Sequence, residues 1–224
     1  MKFEDLNFMS IGSNCVFVAT YPKDERLKGP VDNTSLKSVN AVKMLFDNSF
    51  YSFIKNTTPV KRPKKPNEFR PGDCEYETIY PNDTVSFVHN IPEGEKFFTE
   101  FKKRCDRLYS FIKDVRVKNN CWLVFALNGN FVRYGTGELV KHNLEDVIIY
   151  LKSQNILNKV IFLGSKVVNN NYKVHNHFLD AKSLELLKHK YNIKYVELIN
   201  VSTWNPENAQ KEFKLKMEKC LCQN

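Results

Sequence analysis

The sequence predicts a single α/β domain built on a mainly parallel, Rossmann-like sheet flanked by helices. Three observations carry that reading. Segments of strand and helix character alternate along the chain. Two of the strands, Cys121 to Leu127 and Val160 to Leu163, are apolar almost without a break, as strands covered on both faces are. And 224 residues are enough to bury one sizeable core. Alternation of this kind implies parallel pairing through right-handed crossovers. No internal repeat divides the chain, so the domain is expected to run over 1–224.

Taken in order, Leu6 to Ile11 reads as the first strand, and Cys15 to Thr20 can open a short helix that Tyr21-Pro22 stops. Gly29 to Asn33 is a turn. Ser35 to Asn48 has helical spacing, with Leu36, Val39, Val42, Met44, Leu45 and Phe46 on its apolar face. From Lys55 to Pro71 six basic residues meet one acidic residue among four prolines, which predicts an exposed basic, proline-rich loop. Tyr76 to Tyr80 and Thr84 to His89 resemble strands around the turn Pro81-Asn82-Asp83. Gly94 to Lys113 is the strongest helix, followed by the strand from Cys121. Leu139 to Asn155 is a helix, Val160 to Leu163 a strand, Ser183 to Tyr191 a helix, Lys194 to Leu198 a strand, and Pro206 to Cys220 a closing helix.

Composition narrows the function classes. The 34 Lys and Arg against 25 Asp and Glu leave a charge of +9, so the surface should attract anions. No base-stacking motif, helix-turn-helix pattern or zinc finger accompanies that charge, which makes nucleic acid the least favoured partner. No apolar run approaches bilayer length, and the six cysteines lie scattered in a chain too large to need staples. A reduced, cytoplasmic protein without a membrane span is the expectation. Cys220-Leu-Cys222 lacks the paired spacing of a zinc site, and His175-Asn-His177 is a bare pair without the Cys or His spacing of one, so no metal is expected.

One stretch points to chemistry. Phe8-Met-Ser-Ile-Gly-Ser-Asn-Cys15 takes an apolar strand into a small-residue turn that delivers a thiol where a helix can start. A helix N-terminus favours the thiolate, the nucleophilic form, and parallel sheets collect their sites at the carboxyl ends of the strands. A thiol needs a base at neutral pH, and of the five histidines His89 alone directly ends a predicted strand.

Ser10-Ile-Gly-Ser-Asn-Cys15, Gly29-Pro-Val-Asp32-Asn33, Phe87-Val-His89-Asn90 and Arg104-Cys-Asp-Arg107 leading into the strand from Trp122 together resemble a family named for papain-like cysteine peptidases. That family carries a G-x-x-C turn, a P-F-D-W box, an F-x-H-D box and a basic helix before another strand. The order agrees over most of the first 130 residues. Val31 and Asn33 replace the aromatics beside Asp32, and Asn90 stands where an aspartate is usual; an amide supplies no charge to a histidinium. The chain is also similar to capsule-biosynthesis acetyltransferases with a G-N-C turn, which bind coenzyme A.

Both likenesses imply attack by Cys15 on an acyl carbon, with the backbone N–H groups of the turn, at Ser13 and Asn14, stabilising the oxyanion. His89 is expected to act as the base and Asp32 to orient or charge the histidine, with Asn90 and Arg107 as further candidates to contact the substrate. The expected function is thus a cysteine hydrolase passing through a thioester, with no cofactor. Its substrate is a small molecule, peptide or glycan, of anionic character. An acyltransferase using coenzyme A, or a non-catalytic module binding an anionic glycan or phosphate, are the alternatives.

Overall fold

The computed structural model describes residues 2–12, 29–31, 34–64, 75–87, 92–127, 141–166, 178–199 and 206–221. In chain order its strands are β1 (Asn7–Ser10), β2 (Thr34–Leu36), β3 (Val60–Pro63), β4 (Tyr76–Ile79), β5 (Val85–Phe87), β6 (Cys121–Ala126), β7 (Val160–Lys166) and β8 (Lys194–Ile199). The helices are α1 (Val39–Phe46), α2 (Phe50–Asn56), α3 (Glu95–Val117), α4 (Lys141–Ser153), α5 (Ala181–Tyr191) and α6 (Pro206–Leu221).

β1, β6, β7 and β8 form a parallel sheet in that order, with Phe8 opposite Trp122, Val124 opposite Ile161 and Leu163 opposite Val196. The order never reverses. Right-handed crossovers that always step the same way put their helices on one face. α1, α3 and α4, with Leu187 of α5, accordingly share a core with Met9, Ile11, Leu123, Phe125, Val160 and Phe162. The alternate residues Phe8, Trp122, Val124, Ile161, Leu163 and Leu198 point the other way, into a core closed by Ala209, Phe213 and Met217 of α6. Phe213 meets Phe8 edge-on at 5.5 Å and Phe3 at 6.3 Å between ring centroids. The fully apolar reading of β6 and β7 therefore holds, and both strands are buried from end to end but for Lys166.

The expectation of a mainly parallel sheet is corrected by a second sheet, antiparallel and also four-stranded, in the order β2-β5-β4-β3. Two local misreadings hid it. Thr34 to Leu36, read in part as the start of a helix, pairs with β5, and α1 begins only after Ser38, whose hydroxyl accepts from the Ala41 N–H at 3.4 Å. The second misreading is the proline-rich loop: in its described part Lys55 lies in the last turn of α2 and Val60–Pro63 is a strand paired with β4.

Proline is compatible with that strand because β3 lies at the sheet edge. The Lys64 N–H donates to the Glu75 carbonyl at 3.0 Å, so even-numbered residues face β4 and odd-numbered ones face outward. Pro63 in the strand, and Pro59 just before it, thus stand where a ladder bond would go unused. They also leave the open edge with few donors for a foreign strand. Tyr80 ties this sheet to α2: it is buried, its hydroxyl donates to the Ile54 carbonyl at 3.0 Å, and burial pushes its phenol up to about 12.

Replacing Pro59 and Pro63 together by Thr should restore outward N–H groups on β3 and make the protein self-associate. Sedimentation velocity across a concentration series checks this; a variant that sediments as the parent does would show that the prolines do not guard the edge.

Candidate functional site

The carboxyl end of β1 is shaped by close approach. The Ile11 N–H donates to the Val124 carbonyl at 2.9 Å, and the chain then passes so near β6 that a Cβ on Gly12 would sit 2.6 Å from the Ala126 nitrogen and 2.7 Å from its oxygen. Only glycine fits there. The buried Ser10 hydroxyl closes the turn, donating to the Gly12 carbonyl at 2.5 Å. Ser13, Asn14 and Cys15 lie outside the described residues, as do Asp32, His89 and Asn90.

The described neighbours of Asp32 and His89 share one end of the antiparallel sheet. β2 and β5 pair with Thr34 opposite Phe87, so the start of β2, which Asp32 precedes by two residues, lies beside the end of β5, which His89 follows by two. The Thr34 N–H donates to the buried Val31 carbonyl at 3.2 Å, across Asp32 and Asn33 in sequence. Phe87 sits within an aromatic group, 5.9 Å from Tyr80 and 6.0 Å from both Phe97 and Phe101.

Arg107 lies on α3 between the buried residues Cys105 and Leu108. It is half-buried and its Nε is shut from solvent, so it is not part of the freely solvated helix face.

Three of the six thiols are described, and none is activated. Burial pushes the Cys105 thiol up to about 12, and burial likewise raises Cys121 and Cys220. Each is held further from thiolate than a free cysteine.

The basic segment is more committed than its composition suggests. Arg62 stands opposite Glu77 and makes an ion pair with its carboxylate, the Nε donating at 3.1 Å. Lys37 reaches the same carboxylate at 3.5 Å, Lys61 pairs with Glu93 at 3.6 Å, and Lys64 is buried. Burial works to raise the Glu77 carboxyl. The Ser86 hydroxyl, the Arg62 guanidinium and the Lys37 ammonium outweigh it and hold the group below its usual value near 4.5. Sequence reasoning missed this cluster because Arg62 and Glu77 become neighbours only once β3 is a strand.

Among the described residues no three His, Cys, Asp or Glu side chains gather as metal ligands do, and no helix is long and apolar enough to cross a membrane. No family model and no curated protein matches the chain.

Gly12→Ala should destabilise the fold by about 2 kcal/mol or more, since the added methyl meets backbone that cannot rotate away; chemical denaturation measures it. Glu77→Gln should cost roughly 1–2 kcal/mol by leaving two cations without their carboxylate. The native carboxyl is depressed, so its contribution is full above pH 4.5 and is lost as pH falls through its folded value. Stability of the Gln variant should therefore fall less between pH 5 and 3 than that of the parent.

Proposed function

We propose that the chain is a cysteine-nucleophile enzyme acting on an acyl group, with Cys15 as nucleophile. The observation that carries this reading is the turn at Gly12. A strand ends there in a glycine pressed against the neighbouring backbone, and the sequence reaches a cysteine three residues later. Three residues of chain span at most about 11 Å, which keeps the thiol near the carboxyl edge of the sheet.

That edge suits a thiolate. α3, α4 and α5 each end a few residues before the start of the next parallel strand, so their C-termini lie at the amino edge and their axes run against the strands. The positive ends of α4 and α5 are thereby directed at the carboxyl edge. On this reading the parallel sheet has a Rossmann-like layout with a nucleophile turn after its first strand, and the helix directions support it. Burial holds the Cys105, Cys121 and Cys220 thiols away from the thiolate, which favours a nucleophile outside that set.

In the proposed reaction His89 takes the proton from Cys15 and the sulfur attacks the acyl carbon. The leaving group departs with a proton from the imidazolium, and a thioester remains. Water then adds to the thioester carbon as His89 takes its proton, and the acid is released with the thiol restored. Asp32 orients the imidazole, its position supported by the shared end of β2 and β5. The N–H groups at Ser13 and Asn14 stabilise the oxyanion, and Asn90 and Arg107 contact the substrate.

Limiting iodoacetamide near neutral pH, mapped by mass spectrometry, should label Cys15 before Cys105, Cys121 and Cys220. His89→Ala should shift the alkylation profile of Cys15 to higher pH, because an imidazolium beside a thiol favours the thiolate. Protection of Cys15 in the folded protein would sink the reading, and an unmoved profile in the variant would remove His89 from it.

A further inference from the structure

At the amino edge of the parallel sheet, opposite the proposed catalytic edge, two ammonium groups converge on one indole. Lys159 Nζ lies 4.9 Å and Lys194 Nζ 5.8 Å from the centroid of the Trp122 ring. The register explains the convergence. Leu123 pairs with Val160, which brings Lys159 alongside Trp122, and Lys194 opens β8 opposite Ile161, whose side chain lies in the same core as the indole. Both lysines are half-buried.

The cluster is composed of donors. Lys159 donates to the carbonyls of Lys118 and Asn119, each at 3.2 Å, and keeps one N–H in hand. The buried indole N–H of Trp122 has no acceptor among the described residues. Carboxylates at this edge are held by other lysines: Asp114 by Lys118 at 3.0 Å, and Glu4 and Glu218 by Lys214, the latter at 3.9 Å. Burial holds the Lys159 ammonium below its usual value; Cys121 opposes that shift and the charge of Lys194 adds to it. The C-terminus of α6 contributes about half a negative charge to this edge, and Lys219 in its last turn already faces that charge. Two full positive charges therefore remain to be balanced.

We propose that Lys159 and Lys194, over Trp122, form a receptor for a phosphate group. Two ammonium ions and no acid match a dianion, and tetrahedral oxygens can accept from two donors that do not share a plane. A half-buried pair of this kind also gains more from an anion than exposed lysines do, since water screens it less.

Trp122 reports on its own site. In a Trp204→Phe background it is the sole tryptophan, and its fluorescence is titrated with inorganic phosphate and, separately, with glycerol 3-phosphate, against sodium chloride of equal ionic strength. A saturable change with either phosphate form, weakened about tenfold or more in Lys194→Gln and largely kept in Lys194→Arg, supports the receptor; the two arms tell free phosphate from a phosphate ester. Lys159→Gln serves as a second variant, with circular dichroism confirming that each is folded. No saturable change, the same change with chloride, or undiminished binding in both Gln variants would overturn the proposal.

Discussion

Strand β6 serves two cores at once, and most of the molecule depends on that. Leu123 and Phe125 point toward α3 and α4, while Trp122, Val124 and Ala126 point toward α6. Both faces are apolar, so no polar face is left to set the register from solvent. What sets it is shape: Phe8 and Trp122 are paired across β1 and β6, and only a glycine at position 12 fits against Ala126. A slip by one residue would exchange the two sets of side chains between cores of different depth. The backbone at the end of β1 is thus positioned by packing along the whole strand.

The parallel half of the fold was legible because its elements carry uninterrupted signals. β6 and β7 read as buried strands from their composition, and α3, α5 and α6 from their spacing, with ends within a few residues of those observed. The antiparallel sheet was legible in half: β4 and β5 read as strands around the Pro81-Asn82-Asp83 turn, and they pair antiparallel. β2 and β3 were missed, since they are three and four residues long, too short for a period of two to declare itself, and β3 holds a proline. Pro63 argues against a central strand but not against an edge, and only the pairing distinguishes them. Of the candidate site, the sequence identified the turn after β1 and could not show why Gly12 is required, since Ala126 lies more than a hundred residues away.

The basic composition has a partly structural explanation. Each of the six described helices carries a basic residue in its last turn: Lys43, Lys55, Arg116, Lys152, Lys188 with Lys190, and Lys219. These charges oppose the negative ends of the helix dipoles, each pair worth a few tenths of a kcal/mol to about 1 kcal/mol at the surface. Arg62 and Lys37 are engaged by Glu77 within the antiparallel sheet. A formal charge of +9 therefore overstates what remains to attract a ligand, and its distribution matters more than its sum.

Among the described α-helices, only α6 packs on its face of the parallel sheet, and that has a consequence in time. Its core joins Phe3, Leu6 and Phe8 to Phe213 and Met217, and Lys214 reaches back to Glu4 across 210 residues of sequence. The other face is built largely from crossovers whose helices adjoin the strands they connect. Local contacts close small loops and form early, whereas contacts between distant segments must first overcome the entropy of closing nearly the whole chain. The α6 face is therefore expected to close late in folding. Until it closes, the strands bearing Phe8, Val124 and Leu163 present an apolar sheet surface to solvent, which is when the chain is most exposed to misassembly.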